Sequence, residues 1–174
     1  LPYKGYKEVM AGELKTEDIM GSSSLQSIII HLLNGLLFNL LNRKKFLVAT
    51  NESGLRIAKN TNFANDIAIY EREGLTLNDK YFQKAPKVVI EIDVKIDLDD
   101  TPLERDLDYM LAKTQKMLDF GTERVIWIQT KTKKILVSEA NKPWMMVNFT
   151  DDIELMQGVS LNLAQLLTDE EIPF

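Results

Sequence analysis

Glu91, Asp93 and Lys95 occupy every second position of the run Lys87-Val-Val-Ile-Glu-Ile-Asp-Val-Lys-Ile-Asp-Leu98. On a β-strand that spacing turns all three side chains to one face. Two carboxylates and an amine held side by side, joined by Asp66 from an earlier strand-like run, could hold a divalent cation and activate a water. A half-buried strand that shows its polar side to solvent has the same alternation. Two features favour the site. Aspartate is depleted from strands, so Asp93 between apolar neighbours needs a reason. Helices expected on both sides of the sheet would also cover this face, where neighbouring carboxylates repel unless a cation lies between them.

The elements that must position these residues are legible from period and punctuation. Ser22-Ser23-Ser24 offers N-cap hydroxyls for a helix from about Leu25 to Asn42. That helix is apolar nearly all round, which predicts burial between layers or against a partner chain. Arg43-Lys44-Lys45 follows it with positive charge. Strands are expected at Phe46–Thr50 and Leu55–Ala58, separated by a hairpin turn at Asn51-Glu52-Ser53-Gly54, then at Asp66–Tyr70 and Val88–Leu98. Thr101-Pro102-Leu103-Glu104 opens a second helix that runs to a Gly121 C-cap. Arg124–Gln129 and Lys134–Ser138 form a second hairpin around residues 130–133. A strand near Met145–Phe149 and a short helix near Leu161–Leu167 complete the chain. This order predicts an α/β domain around a mixed sheet, one domain over residues 1–174 with an irregular segment at 1–21.

Composition narrows the chemistry. With no cysteine there are no disulfides, thiolate metal sites or cysteine nucleophiles, and the single histidine, His31, gives little support to zinc sites or serine–histidine triads. A metal here would be held by carboxylate oxygens, which favours magnesium, manganese or calcium. A net charge of −5 argues against a general nucleic-acid coat protein, but not against a nuclease with a local basic rim. The chain begins at Leu1, so some N-terminal sequence is expected to be missing or trimmed. Residues 1–20 show no signal peptide, and Ile28–Leu41 is too short and too interrupted to span a bilayer. A soluble, cytoplasmic protein is expected.

An aspartate opening one strand, followed by acid-x-Lys on the next, is similar to the motif of the PD-(D/E)XK nuclease superfamily; here it reads Asp66, then Asp93-Val94-Lys95. More closely, the chain resembles the Uma-two family of restriction-endonuclease-like proteins. The segments that carry this are Asn65-Asp66, Val88-Val89-Ile90-Glu91-Ile92, Lys113 with Met117 and Gly121, and Val125-Ile126-Trp127-Ile128, spread over roughly Tyr6 to Leu166. Asn65 stands where that family usually has proline, Met117 where it has tyrosine, and Val94 where it has serine.

The resemblance implies a restriction-endonuclease-like mixed sheet flanked by helices and hydrolysis of nucleic-acid phosphodiesters, DNA first, with Mg2+ or Mn2+. Asp66 with Glu91 or Asp93 would hold the metal; the closer family points to Glu91, the superfamily to Asp93. Lys95 would orient or deprotonate the water or stabilise the phosphorane, with Lys113 as the alternative lysine. Gln26 falls where relatives often carry histidine and takes a supporting or substrate-binding role. Arg43, Lys44, Lys45, Lys80, Lys84, Lys87, Lys131, Lys133 and Lys134 are candidate phosphate contacts. His31 reads as a packed or helix-surface histidine, and Trp127 and Trp144 read as core residues. The apolar first helix leaves room for a homodimer. The alternatives are a nuclease-fold protein that binds DNA or a partner without catalysis, and a structural or dimerisation module with a solvated acidic strand.

Overall fold

Ser23 starts the first helix by accepting the Gln26 amide on its hydroxyl at 3.1 Å. The computed structural model describes residues 10–13, 22–59, 61–92 and 103–174, with backbone alone for 103–106. Helix α1, Ser24–Leu40, buries the stripe Ile29, Leu33 and Leu37, at the four-residue spacing of one helical face. Of the two expected settings, burial between layers of the one chain is corrected: Phe38 is 59% exposed, and Ile28 and Leu40 are exposed as well. One helix against one sheet can cover only one stripe.

Strand β1, Phe46–Ala58, runs unbroken through the residues expected to form a turn. Asn51 and Glu52 instead make a bulge. Register moves from Thr50 opposite Ile67 to Ser53 opposite Asn65, which places one extra β1 residue at Asp66, and both bulged residues take positive φ, 64° and 53°. The hairpin turn expected at Asn51-Glu52-Ser53-Gly54 is corrected: these turn-type residues form a bulge inside a continuous strand. The reversal comes between Ala58 and Thr61, so β2, Thr61–Glu71, begins five residues ahead of Asp66.

Strand β3 is Val88–Ile92, and all five residues are buried. This corrects the picture of a half-solvated strand up to Ile92, because both faces are covered. The rest of the expected strand, with Asp93 and Lys95, lies outside the described residues. Helix α2, Leu103–Phe120, ends in a Schellman arrangement: Thr122 N–H bonds to Met117 C=O at 3.0 Å, and Gly121 supplies the φ of 114°. It crosses over to β4, Arg124–Gln129, which lies parallel to β3 with Glu91 beside Trp127. Antiparallel β5, Lys134–Glu139, and β6, Met145–Asn148, complete a six-stranded mixed sheet in the order β1-β2-β3-β4-β5-β6. A small hairpin of β7, Ile153–Met156, and β8, Val159–Leu161, turns at Gln157-Gly158 and was not foreseen. Helix α3, Leu163–Asp169, is capped by Asn162.

Strand alternation divides the core. Ile67, Ile69, Ile90 and Ile126 face α1, α3 and the small hairpin, whereas Ala68, Tyr70, Val89 and Trp127 face α2. The result is the mixed α/β sheet between helices that the sequence predicts. Among the described residues no helix is long and apolar enough to cross a membrane.

Candidate metal and hydrolytic site

Extending the β2–β3 register by one step from Ile67–Ile90 sets Asp66 opposite Glu91, at the end of β3. The two acids are tied together through the backbone. Asp66 Oδ2 accepts the Ile92 amide at 2.8 Å, and the Glu91 carboxylate accepts the Asp66 amide. Gln26, from the first turns of α1, donates to the Ile92 carbonyl at 2.7 Å and to the Asp66 carboxylate. Lys113 comes from α2 on the other side of the sheet. Its Nζ lies 2.9 Å from Glu91 Oε1 and donates to the Ala64 carbonyl at 2.8 Å.

A hydroxyl fixes the approach of α2. Thr114 donates to the Met110 carbonyl and accepts the indole N–H of Trp127, both at 2.7 Å. That buried contact seats one helical turn against β4 and places Lys113 between the Phe63 and Trp127 rings, 5.6 and 5.5 Å from their centroids.

Glu91 and Lys113 are only 6% and 5% exposed. Burial pushes the Glu91 carboxyl up to about 7, against the pull of the Lys113 charge and with a further upward push from Asp66. Lys113 both pairs with and hydrogen-bonds the Glu91 carboxylate, and the two effects oppose burial without cancelling it. Burial also raises Asp66, opposed by the Ile92 amide, Lys113 and Gln26, while Glu52 on the bulge adds a small upward push. Next to Asp66, Asn65 is fully buried, and neither atom of its amide has a hydrogen-bond partner among the described residues.

Of the residues expected from sequence, Asp66, Glu91, Lys113 and Gln26 meet in one place. Asp93 and Lys95 lie outside the described residues. Glu52 and the Ile92 carbonyl were missed. Glu52 was hidden because its segment read as a turn, and a backbone carbonyl leaves no mark in a sequence. The candidate phosphate contacts are largely engaged elsewhere: Lys87 pairs with Glu123, Lys84 with the carbonyls of Glu71 and Glu73, Lys133 with the Phe174 carbonyl, and Arg43 with the Phe38 ring. His31 is exposed on α1, Trp127 is core, and Trp144 is packed against the α2 side.

Among the described residues no group of three or more His, Cys, Asp or Glu side chains is placed to hold a metal. The donors present nevertheless suit a hard cation: two mutually repelling carboxylates and the Ile92 carbonyl, all oxygen. Magnesium keeps several waters, so two carboxylates satisfy its usual protein share.

No family model matches the chain, and no curated protein matches it. Among solved structures it is similar to one from Anabaena variabilis described as "a putative nuclease belonging to DUF820", with a TM-score of 0.62 and 14% identity, over 86% of this chain and 83% of that one. At this identity the likeness is one of fold.

Proposed function

We propose that this protein is a Mg2+- or Mn2+-dependent endonuclease-like hydrolase of nucleic-acid phosphodiesters, with DNA as the first substrate to test. The observation that carries the proposal is the Glu91–Lys113 pair, buried at the end of β3 against Asp66, where burial outweighs the lysine and pushes the Glu91 carboxyl up to about 7. Perturbed, buried charges of this kind concentrate at functional sites. The fold likeness to a protein described as a nuclease supports the same reading.

Asp66 and Glu91 would hold the cation, with the Ile92 carbonyl as a third oxygen. Bound there, the metal supplies a water of lowered pKa and neutralises charge that develops on the phosphate. Lys113 opposes the protonation of Glu91 that burial favours and presents an ammonium to a water or phosphate oxygen. Gln26 keeps the Asp66 carboxylate and the Ile92 carbonyl in fixed orientation. We assign the second acid to Glu91 and the lysine to Lys113, the groups that the fold brings to Asp66, with Asp93 and Lys95 as the competing pair.

Thermal unfolding with added Mg2+ or Mn2+, alongside cleavage of plasmid, linear and single-stranded DNA, tests this reading. The wild type is expected to gain stability with metal and to cut, whereas Asp66→Asn and Glu91→Gln lose both responses and Asp93→Asn keeps them. Absence of any metal response together with intact DNA of every form would overturn it. A nuclease-fold protein that binds without cutting is favoured by one observation, that Lys113 already neutralises Glu91. That protein would hold DNA in a salt-dependent manner, and Glu91→Gln would leave its affinity unchanged or improved.

A further inference from the structure

Beyond Asp66 toward its own start, β2 leaves the sheet centre and pairs with β1 alone. Burial alternates there: Asn62 and Ala64 are exposed, Asp66 is half-buried, and Phe63 and Asn65 turn inward. Asn62 and Ala64 therefore lie on the open face, with half-buried Asp66 two residues further along the strand. Gly54 stands opposite Ala64, and Arg56 opposite Asn62, on that same face. Gly54 has no side chain to cover the strand, and the ring of Tyr81 lies on it. A Cβ at Gly54 would sit 2.4 to 2.9 Å from three atoms of that ring.

The ring is held from behind. Phe82 N–H bonds to the Gly54 carbonyl at 2.9 Å, and Arg56 N–H to the Phe82 carbonyl at 2.8 Å. The Phe82 ring stacks on buried Tyr70 with centroids 4.2 Å apart. Despite these ties Tyr81 is 54% exposed. A large aromatic fixed by its neighbours, with one side on backbone and the rest in solvent, does nothing for the core.

We propose that Tyr81 is a stacking platform for an unpaired nucleobase, with Arg56 one step further along the same face as a phosphate contact. Ala64, across the ladder from Gly54, is two residue steps from Asp66, a rise of roughly 7 Å along the strand, so the platform lies one strand over from the segment that leads to the carboxylates. Stacking is indifferent to base identity because every base has a π-face. The platform therefore favours single-stranded or locally unpaired nucleic acid over intact duplex. The inference rests on the hydrolase reading for its substrate class, but its own test does not require cutting.

A short single-stranded oligonucleotide carrying a fluorescent adenine analogue, whose emission falls on stacking, is titrated in chelator with wild type, Tyr81→Ala, Tyr81→Phe and Arg56→Gln. The wild type and Tyr81→Phe are expected to bind and quench. Tyr81→Ala should lose quenching and bind about 5- to 100-fold more weakly, with duplex affinity unchanged. Arg56→Gln should weaken binding and flatten its salt dependence while quenching persists at saturation. Equal single-strand binding and quenching by Tyr81→Ala would overturn the platform, and so would a wild type that binds no nucleic acid. Cleavage of DNA by the wild type is read separately. Cutting that is indifferent to Tyr81 leaves the hydrolase reading standing alone, and Tyr81-dependent binding with no cutting leaves the platform standing alone.

Discussion

At the start of β3, Lys87 lies 2.6 Å from Glu123 and 4.0 Å from Glu71, and on the neighbouring strand Arg124 lies 2.6 Å from Glu139 and 3.6 Å from Glu154. At the other end of the same strand, Glu91 lies 2.9 Å from Lys113. The first group lines a cleft of about 430 Å3 together with Lys45. Lys87, Arg124 and Glu139 each have partners on more than one side, and water reaches most of these groups. The Glu139 carboxyl is held below its usual range, first by Lys142 and then by Arg124. At the Glu91 end the charges are buried, Glu91 is pushed up to about 7, and the Asn65 amide beside them is buried without a partner among the described residues. The cleft thus lies at the satisfied end, and the perturbed groups at the other. Charge that is buried and incompletely compensated is the better guide to chemistry than the volume of a cleft.

The sharpest way to break this comparison is to remove one member of the buried pair. Lys113→Met keeps most of the side-chain bulk and leaves Glu91 without its cation. We expect a loss of about 3–5 kcal/mol in urea unfolding. The double variant Lys113→Met/Glu91→Leu should recover most of that loss, since an apolar pair of similar volume is often neutral or stabilising. If the single variant costs under about 1 kcal/mol, the Glu91 end is as relaxed as the Lys87 end and the contrast fails.

The next effect is a pH dependence confined to one end. Folding raises Glu91 from its ordinary 4.5 to about 7. Between those values the native state keeps a proton that the unfolded chain has lost. The stability contributed by that proton is fully present below about pH 4.5, falls as pH rises through the window, and is gone above about 7. Asp66, also raised, contributes in the same direction. Measured as the difference between wild type and Glu91→Gln, the change across the window should be on the order of 2–3 kcal/mol. A flat difference would show that Lys113 fully compensates Glu91.

What the sequence revealed of these two ends follows from which signals are local. Apolar alternation in Val88–Ile92 and Arg124–Gln129, the serine cap of α1 and the glycine after α2 act within a few residues, and each marks its element. Asp66 and Glu91 were legible as acids on neighbouring strands. Lys113 was ambiguous because an exposed helical lysine and a buried one read alike. The Thr114–Trp127 contact, between residues thirteen apart, and the buried Met110, Met117 and Leu118 turn that face of the helix inward. The bulge at Asn51-Glu52 was misread because turn residues also suit left-handed positions inside a strand. Tyr81 carried no signal at all, since its role depends on the missing side chain of Gly54 across a non-local contact.

The smallest expected effect is at the satisfied end. Lys87 is one-third exposed and Glu123 nearly two-thirds, so water already solvates both and salt screens their attraction. The Lys87 ammonium is held above its usual range, chiefly by its hydrogen bond to Glu123, yet that attraction costs little to lose in solvent. Lys87→Met should therefore change urea stability by less than about 1 kcal/mol, and whatever change there is should vanish in high salt. The salt response separates the two ends even if the totals approach one another, because the buried Lys113–Glu91 pair has no counterions to exchange. A Lys87→Met cost that matched Lys113→Met and persisted in high salt would mean that the start of β3 is as desolvated in solution as its end, and the distinction between a structural and a functional set of charges would collapse.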